Sequence, residues 1–137
     1  MADLITKLGI KPGQSVCILD APPAAAILIR QSCPDGVTVT ERLGRGKHNL
    51  IIFWPLRRAG LRERFAQLAR RIIPEGAIWA VMPKKKFAVR RGIDFAWEQL
   101  QAAGLAGDLV DNKIASVTEQ DYGTRFVIRK EKRAAQV

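Results

Sequence analysis

Histidine is almost missing from this sequence, and cysteine and tyrosine nearly so: the chain has one His, two Cys and one Tyr. Metal sites and thiolate–imidazole pairs need several such groups at set spacings, and neither Cys17 nor Cys33 belongs to a CxxC pair. Cys17 falls in an apolar run and Cys33 sits beside Pro34, so two reduced thiols and no metal are expected. His48, with Arg45 and Lys47 around it, is expected as a solvated loop residue. No GxSxG elbow, HExxH helix or GxxxxGK[ST] loop is present. Gly44-Arg45-Gly46-Lys47 is too short for a phosphate loop and does not lead from an apolar strand into a helix. The longest apolar stretch, Ala21 to Ile29, cannot span a bilayer, so no membrane partner is expected. Met1-Ala2-Asp3-Leu4 has no basic region followed by an apolar one, so a signal peptide is not expected and a cytoplasmic location is.

Acidic residues are also scarce. Lys and Arg number 23 against 13 Asp and Glu, a net charge of +10. A chain this basic binds polyanions at low salt whatever its role. The cations gather in three clusters: Arg57, Arg58, Arg62 and Arg64; Lys84, Lys85, Lys86, Arg90 and Arg91; and Arg129, Lys130, Lys132 and Arg133. The second interleaves its five cations with Phe87, a pattern able to follow phosphates and stack a base, which makes nucleic acid one expected partner class. No helix-turn-helix, zinc-finger or RNA-recognition signature accompanies it. An acidic protein facing the arginines of the Leu61 to Ile72 helix is a further partner class, against the simpler expectation of a solvated helix face.

What is there is a globular composition, 47% hydrophobic and 26% charged over 137 residues, expected to form one domain over 1–137 with a frayed tail from Lys130. Asp3 is placed to cap a short helix stopped by Gly9. Val16 to Asp20 reads as a buried strand, and Pro23 suits the first position of a helix over Ala24 to Arg30. Val37 to Glu41 is β-branched and alternating, as an edge strand is. Leu50 to Trp54 and Ala77 to Met82 are continuously apolar, the mark of strands buried on both faces. Between them, Leu61, Phe65, Leu68 and Ile72 make one stripe on a helix expected from about Arg57 to Ile73, followed by a turn at Pro74-Glu75-Gly76. A further helix is expected after an Asp94 cap and before Gly104, burying Trp97, Leu100 and Ala103. Strands over Lys113 to Thr118 and Arg125 to Arg129, joined near Tyr122-Gly123, close the chain as a hairpin. Strands alternating with helices imply a small α/β three-layer Rossmann-like sandwich, its sheet mostly parallel with an antiparallel hairpin at one edge.

One more absence bears on function. Nucleotide-binding sheets follow their first strand with a glycine-rich turn, because only glycine lets backbone approach a phosphate or cofactor closely. Here the turn is Ala21-Pro22-Pro23, rigid and short of N–H donors.

Lys11-Pro12-Gly13-Gln14-Ser15-Val16 leading into a strand that ends at Asp20 resembles the entry to the first strand of class I methyltransferases. Ile73-Pro74-Glu75-Gly76-Ala77-Ile78-Trp79 resembles the turn into their fifth strand, and the closing hairpin is similar to their antiparallel ending. More closely, Leu8 to Gly13, Ala21-Pro22, Phe53-Trp54-Pro55-Leu56, Trp79, Pro83-Lys84-Lys85, Gly104-Leu105, Leu109 to Lys113 and Arg125 to Arg129 resemble a family of small bacterial proteins of unknown function with a pared-down version of this fold. That resemblance implies a fold and no activity. The methyltransferase resemblance implies S-adenosylmethionine as cofactor and an acid at the second strand's end for its ribose. Glu41 lies at that spacing, 41 − 20 = 21 residues beyond Asp20. Against it stand the altered loop and the lack of a helix between the second strand and Leu50.

In open α/β sheets a ligand lies beyond the carboxyl ends of the strands. Those ends carry Asp20, Ala21 and Pro22; Glu41; Trp54 and Pro55; and Pro83, Lys84 and Lys85, with Asp111-Asn112-Lys113 before the hairpin. Lysines beside a tryptophan and fixed prolines suit an anion. The expectation is a non-catalytic domain that takes a small anionic ligand or an acidic protein at this crevice, with no cofactor. Nucleic-acid binding through Lys84, Lys85, Lys86, Arg90 and Arg91, or divergent S-adenosylmethionine-dependent methyl transfer, are the alternatives.

Overall fold

A computed structural model describes residues 3–133. Its elements alternate as α1 (Leu4–Leu8), β1 (Ser15–Leu19), α2 (Pro23–Ser32), β2 (Thr38–Thr40), β3 (His48–Phe53), α3 (Leu61–Ala69), β4 (Ile72–Pro83), α4 (Lys85–Ala88), α5 (Trp97–Leu105), β5 (Leu109–Ser116), β6 (Asp121–Ile128) and α6 (Lys130–Arg133). The six strands form one sheet in the order β2-β1-β3-β4-β6-β5. The first four run parallel and the last two antiparallel. Among the described residues no helix is long and apolar enough to cross a membrane.

Period-two alternation sends each strand's apolar residues to two separate cores. Val16, Ile18, Leu50, Ile52, Trp54 and Trp79 meet Ile5 and Leu8 of α1 and Ala25 and Ile29 of α2. Cys17, Leu19, Ile51, Phe53, Ile78 and Phe126 meet Leu61, Phe65 and Leu68 of α3 and Leu100 of α5. Phe65 sits edge-on to both Phe53 (5.3 Å between centroids) and Phe126 (4.8 Å), joining α3 to β3 and β6. The result is the expected three-layer α/β sandwich.

The local signals hold where a cap or ring dictates them. Asp3 Oδ1 accepts the Thr6 N–H at 2.8 Å, Gly9 ends α1 in the left-handed region, and Pro23 opens α2. The β2–β3 connection has no helix. Instead residues 41–47 cross over β1, with Leu43 packed on the α3-side core and the Arg42 carbonyl accepting from Cys17 Sγ at 3.4 Å.

Several boundaries differ from expectation. The helix expected from Arg57 to Ile73 spans only Leu61–Ala69, because Gly60 enters in the left-handed region and Ile72 already pairs with His48 in the sheet. Pro74-Glu75-Gly76 is therefore a bulge inside β4 rather than a turn, with the register shifting between His48 and Leu50. Asp94 does not cap α5, whose N-cap is Ala96; its carboxylate accepts the Arg58 N–H at 2.6 Å. His48 is buried, not solvated, with Nε2 donating to the Leu43 carbonyl (2.9 Å) and Nδ1 paired with Ser15 Oγ (2.9 Å). The hairpin turns at Val117 to Gln120, and Tyr122-Gly123 lie inside β6. A Cβ on Gly123 would stand 2.8 Å from the Trp79 ring, so the glycine serves packing rather than a turn. Lys130–Arg133 form a helical turn where fraying was expected, and 134–137 lie outside the described residues.

Candidate ligand site at the strand ends

β1 passes to β2 on one side and β3 returns on the other, so the strand order reverses between the carboxyl ends of β1 and β3. That switch point is where open α/β sheets take their ligands. A cavity of about 400 Å³ lies there, lined by Asp20, Phe53, Trp54, Pro55, Arg57 and Arg64 among others. Sequence reasoning placed Asp20, Trp54 and Pro55 here; it did not single out Arg57 and Arg64 as ligand contacts.

Asp20 has φ 58°, and among the described residues it is the one non-glycine in the left-handed region. Leu19 remains in the sheet, its carbonyl accepting the Trp54 N–H at 3.1 Å, so the chain bends at Asp20 itself. The bend leaves the carboxylate 64% exposed at the cavity rim, 3.7 Å from the Arg64 guanidinium. Cys17, three residues earlier in β1, has its thiol pushed up from the ordinary range by burial, opposed by the Thr40 hydroxyl and the charge of Arg64. Cys33 lies against the opposite core and is likewise free.

After Asp20 the loop behaves as its composition demands. Pro22 and Pro23 carry no N–H, and the Pro22 carbonyl accepts from Ala25 (3.0 Å) and Ala26 (3.1 Å) to start α2. Glu41 is not among the cavity's lining residues: its exposed Oε2 accepts from Arg30 Nη2 at 2.9 Å and Nε at 3.2 Å, pairing it with α2.

Trp54 is a core residue whose indole N–H reaches Asp121 Oδ2 at 3.3 Å. Asp121 is buried and takes Arg91 as its ion-pair partner, Nη1 to Oδ1 at 2.8 Å. Asp121 was not singled out from the sequence, and the signal for it is faint: a buried indole N–H needs an acceptor, but nothing local says which. This pair borders a second cavity, about 510 Å³, between Pro22–Ala25 and the Thr118–Asp121 turn on the α2 side of the sheet.

The remaining candidates divide. Pro83 is buried opposite Asp121, and Lys84 donates its N–H to the Gln120 carbonyl at 2.7 Å. Lys85, Lys86 and Arg90 are exposed, while Phe87 has the Lys86 ammonium 5.1 Å above its ring. Asp111, Asn112 and Lys113 stand on edge strand β5, away from the crevice. They are engaged by Gln101 (3.1 Å), Arg125 (3.3 Å) and the Lys7 carbonyl (3.1 Å) respectively.

No protein-family model matches the sequence, and no curated protein matches it either. Solved structures do match in fold, methyltransferases among them. A TehB-like SAM-dependent methyltransferase from Corynebacterium glutamicum aligns with TM-score 0.63 and 11% identity, over 92% of this chain and 85% of that one. Magnesium protoporphyrin IX methyltransferase from Synechocystis PCC 6803, solved with bound SAH, gives 0.62 and 10% over 91% and 78%. The N-methyltransferase NodS from Bradyrhizobium japonicum gives 0.60 and 11% over 93% of each chain. At such identities the likeness establishes the fold alone.

Proposed function

We propose that this chain is a divergent S-adenosylmethionine-binding protein of the methyltransferase fold, with the switch-point cavity as its ligand site. One observation carries the reading: in a sheet of this fold, a cavity of about 400 Å³ at the strand-order reversal holds an acid and two arginines together. A zwitterionic nucleoside fits that donor set. Asp20 would accept from its ribose hydroxyls or ammonium, and Arg57 and Arg64 would face its carboxylate. The fit is to the cavity and not to the flanking loop, since Pro22 and Pro23 offer no N–H and Glu41 is held by Arg30. When bound, such a cofactor supplies a methyl group on a sulfonium. What the chain's residues contribute is an acid paired with one arginine at 3.7 Å, a second arginine, and apolar lining from Phe53 and Pro55.

The test is a thermal-melt titration near 150 mM salt with S-adenosylmethionine, its demethylated product, adenosine, and a polyanion such as polyphosphate. Ligand at about 100 times its dissociation constant adds roughly 2.7 kcal/mol of stability, a shift of several degrees for a domain of this size. Shifts with the two cofactor forms that Arg64→Ala weakens support the reading. No shift, or one matched by polyphosphate, returns the cavity to a non-catalytic anion or acidic-partner site.

A further inference from the structure

We propose that the cavity walled by Phe95, Trp97 and Tyr122 is a second ligand site, one that takes a planar aromatic anion. It measures about 330 Å³ and lies at the carboxyl end of β4, on the same sheet face as the switch-point cavity. No residue lines both cavities. Asp94, holding the Arg58 N–H, ties together the two loops that lie between them.

The aromatic walls are fixed rather than merely present. Trp97 Nε1 donates to the buried Thr124 hydroxyl at 2.9 Å, which locks the plane of the indole against β6. Phe95 is 6% exposed and supplies a rigid floor, while Val89 is 90% exposed at the mouth. The volume, at the small end of ordinary ligand pockets, suits a single or fused ring with one substituent.

Charge selects the substituent. Lys85 lines the cavity, and Lys84, Lys86 and Arg90 flank it on the same segment, against one acid in the lining, Glu98. Burial and the Glu98 charge push the Tyr122 hydroxyl above its ordinary range, so it stays a phenol that can donate to a ligand, while Glu98 itself opposes an anion and the four cations oppose Glu98. An aromatic carboxylate therefore meets a ring-lined slot, an ammonium and a phenol donor, whereas an aromatic amine meets the local field of four cations.

Titration of the ¹⁵N-labelled full chain with indole-3-carboxylate, tryptamine and acetate tests this, read at the Trp97 indole N–H. The carboxylate should shift that signal saturably while the Asp20 and Gly60 amides stay in place. Lys85→Ala should then weaken it about fivefold at most, as for an exposed ion pair, and Tyr122→Phe should weaken it without loss of fold. Tryptamine binding as tightly, acetate giving the same shifts, or no saturable change in a folded spectrum would each overturn the proposal. Because the readout lies outside the switch-point cavity, failure here leaves the cofactor reading untouched, and the reverse.

Discussion

Arg91 donates both of its terminal nitrogens to Asp121, Nη1 to Oδ1 at 2.8 Å and Nη2 to Oδ2 at 3.4 Å. The carboxylate is 4% exposed and the guanidinium 25%, so the acid is the buried member. Its other partner is the Trp54 indole N–H, while the Asp121 backbone N–H donates to Thr118 Oγ1. One carboxylate thus joins the end of β3, the β5–β6 turn and the basic segment after β4. It also draws Arg91 away from any phosphate, leaving Lys84, Lys85, Lys86 and Arg90 as the cations of that cluster.

Removing the arginine should cost more than an ordinary surface pair. Arg91→Met strands a buried charge that the Trp54 indole N–H alone still solvates, at 3.3 Å. The expected loss is on the order of 3 kcal/mol, read by urea denaturation. Arg90→Met, one residue away and exposed, should change stability by under about 0.5 kcal/mol. Equal effects of the two would mean that the pair is not holding the turn.

Gly104 offers a second contrast. A Cβ there would run into the Phe126 ring closer than van der Waals contact allows, while nothing lies within 4 Å of one at Gly107. Phe126 is itself wedged on Phe65, so it has nowhere to retreat. Gly104→Ala should destabilise by about 1–3 kcal/mol, and Gly107→Ala should be near neutral or better. Thermal melts of both variants decide it.

These contacts show where sequence reasoning ends. The apolar runs Val16 to Leu19, Leu50 to Phe53 and Ala77 to Met82 announce central strands because burial on both faces leaves no room for polar residues. Asp3, Gly9 and Pro23 announce helix ends because their chemistry acts within a few residues. Gly123 misleads, since a glycine needed for a tryptophan across the ladder looks like one needed for a turn. Asp121, His48 and Asp94 are invisible for a related reason. Their partners lie 30 or 67, 33, and 36 residues away, and only the finished fold brings them together. Glu41 has the spacing of a ribose-binding acid, yet Arg30 one helix over decides where it points.

Alkaline pH should weaken the fold in steps that follow its buried acids. Burial raises Cys17 and Cys33 above their ordinary 9.0, and burial with the Glu98 charge raises Tyr122 above 10.0. For a raised group the folded state holds its proton more tightly. Its contribution is whole below the unfolded value and is lost as pH climbs through the folded one. Melting temperature should therefore be flat between about pH 7 and 8.5 and fall above pH 9, with a further fall past pH 10. Cys17→Ala should soften the first fall and leave the second. A decline already under way at pH 8 would point to a different group.

Asp20 has a backbone role and a proposed ligand role, and the two can be separated. Its left-handed φ of 58° is tolerable for an aspartate, free for glycine and strained for a β-branched residue. Asp20→Gly should keep stability within about 1 kcal/mol, while Asp20→Val should cost about 1–3 kcal/mol. Asp20→Asn keeps the backbone preference and removes only the charge. If the bend exists to aim a carboxylate into the switch-point cavity, the Gly and Asn variants melt like the parent yet lose the S-adenosylmethionine shift. If the bend is only how the chain leaves β1 for two prolines, both variants keep whatever shift the parent has, and the acid plays no part in binding.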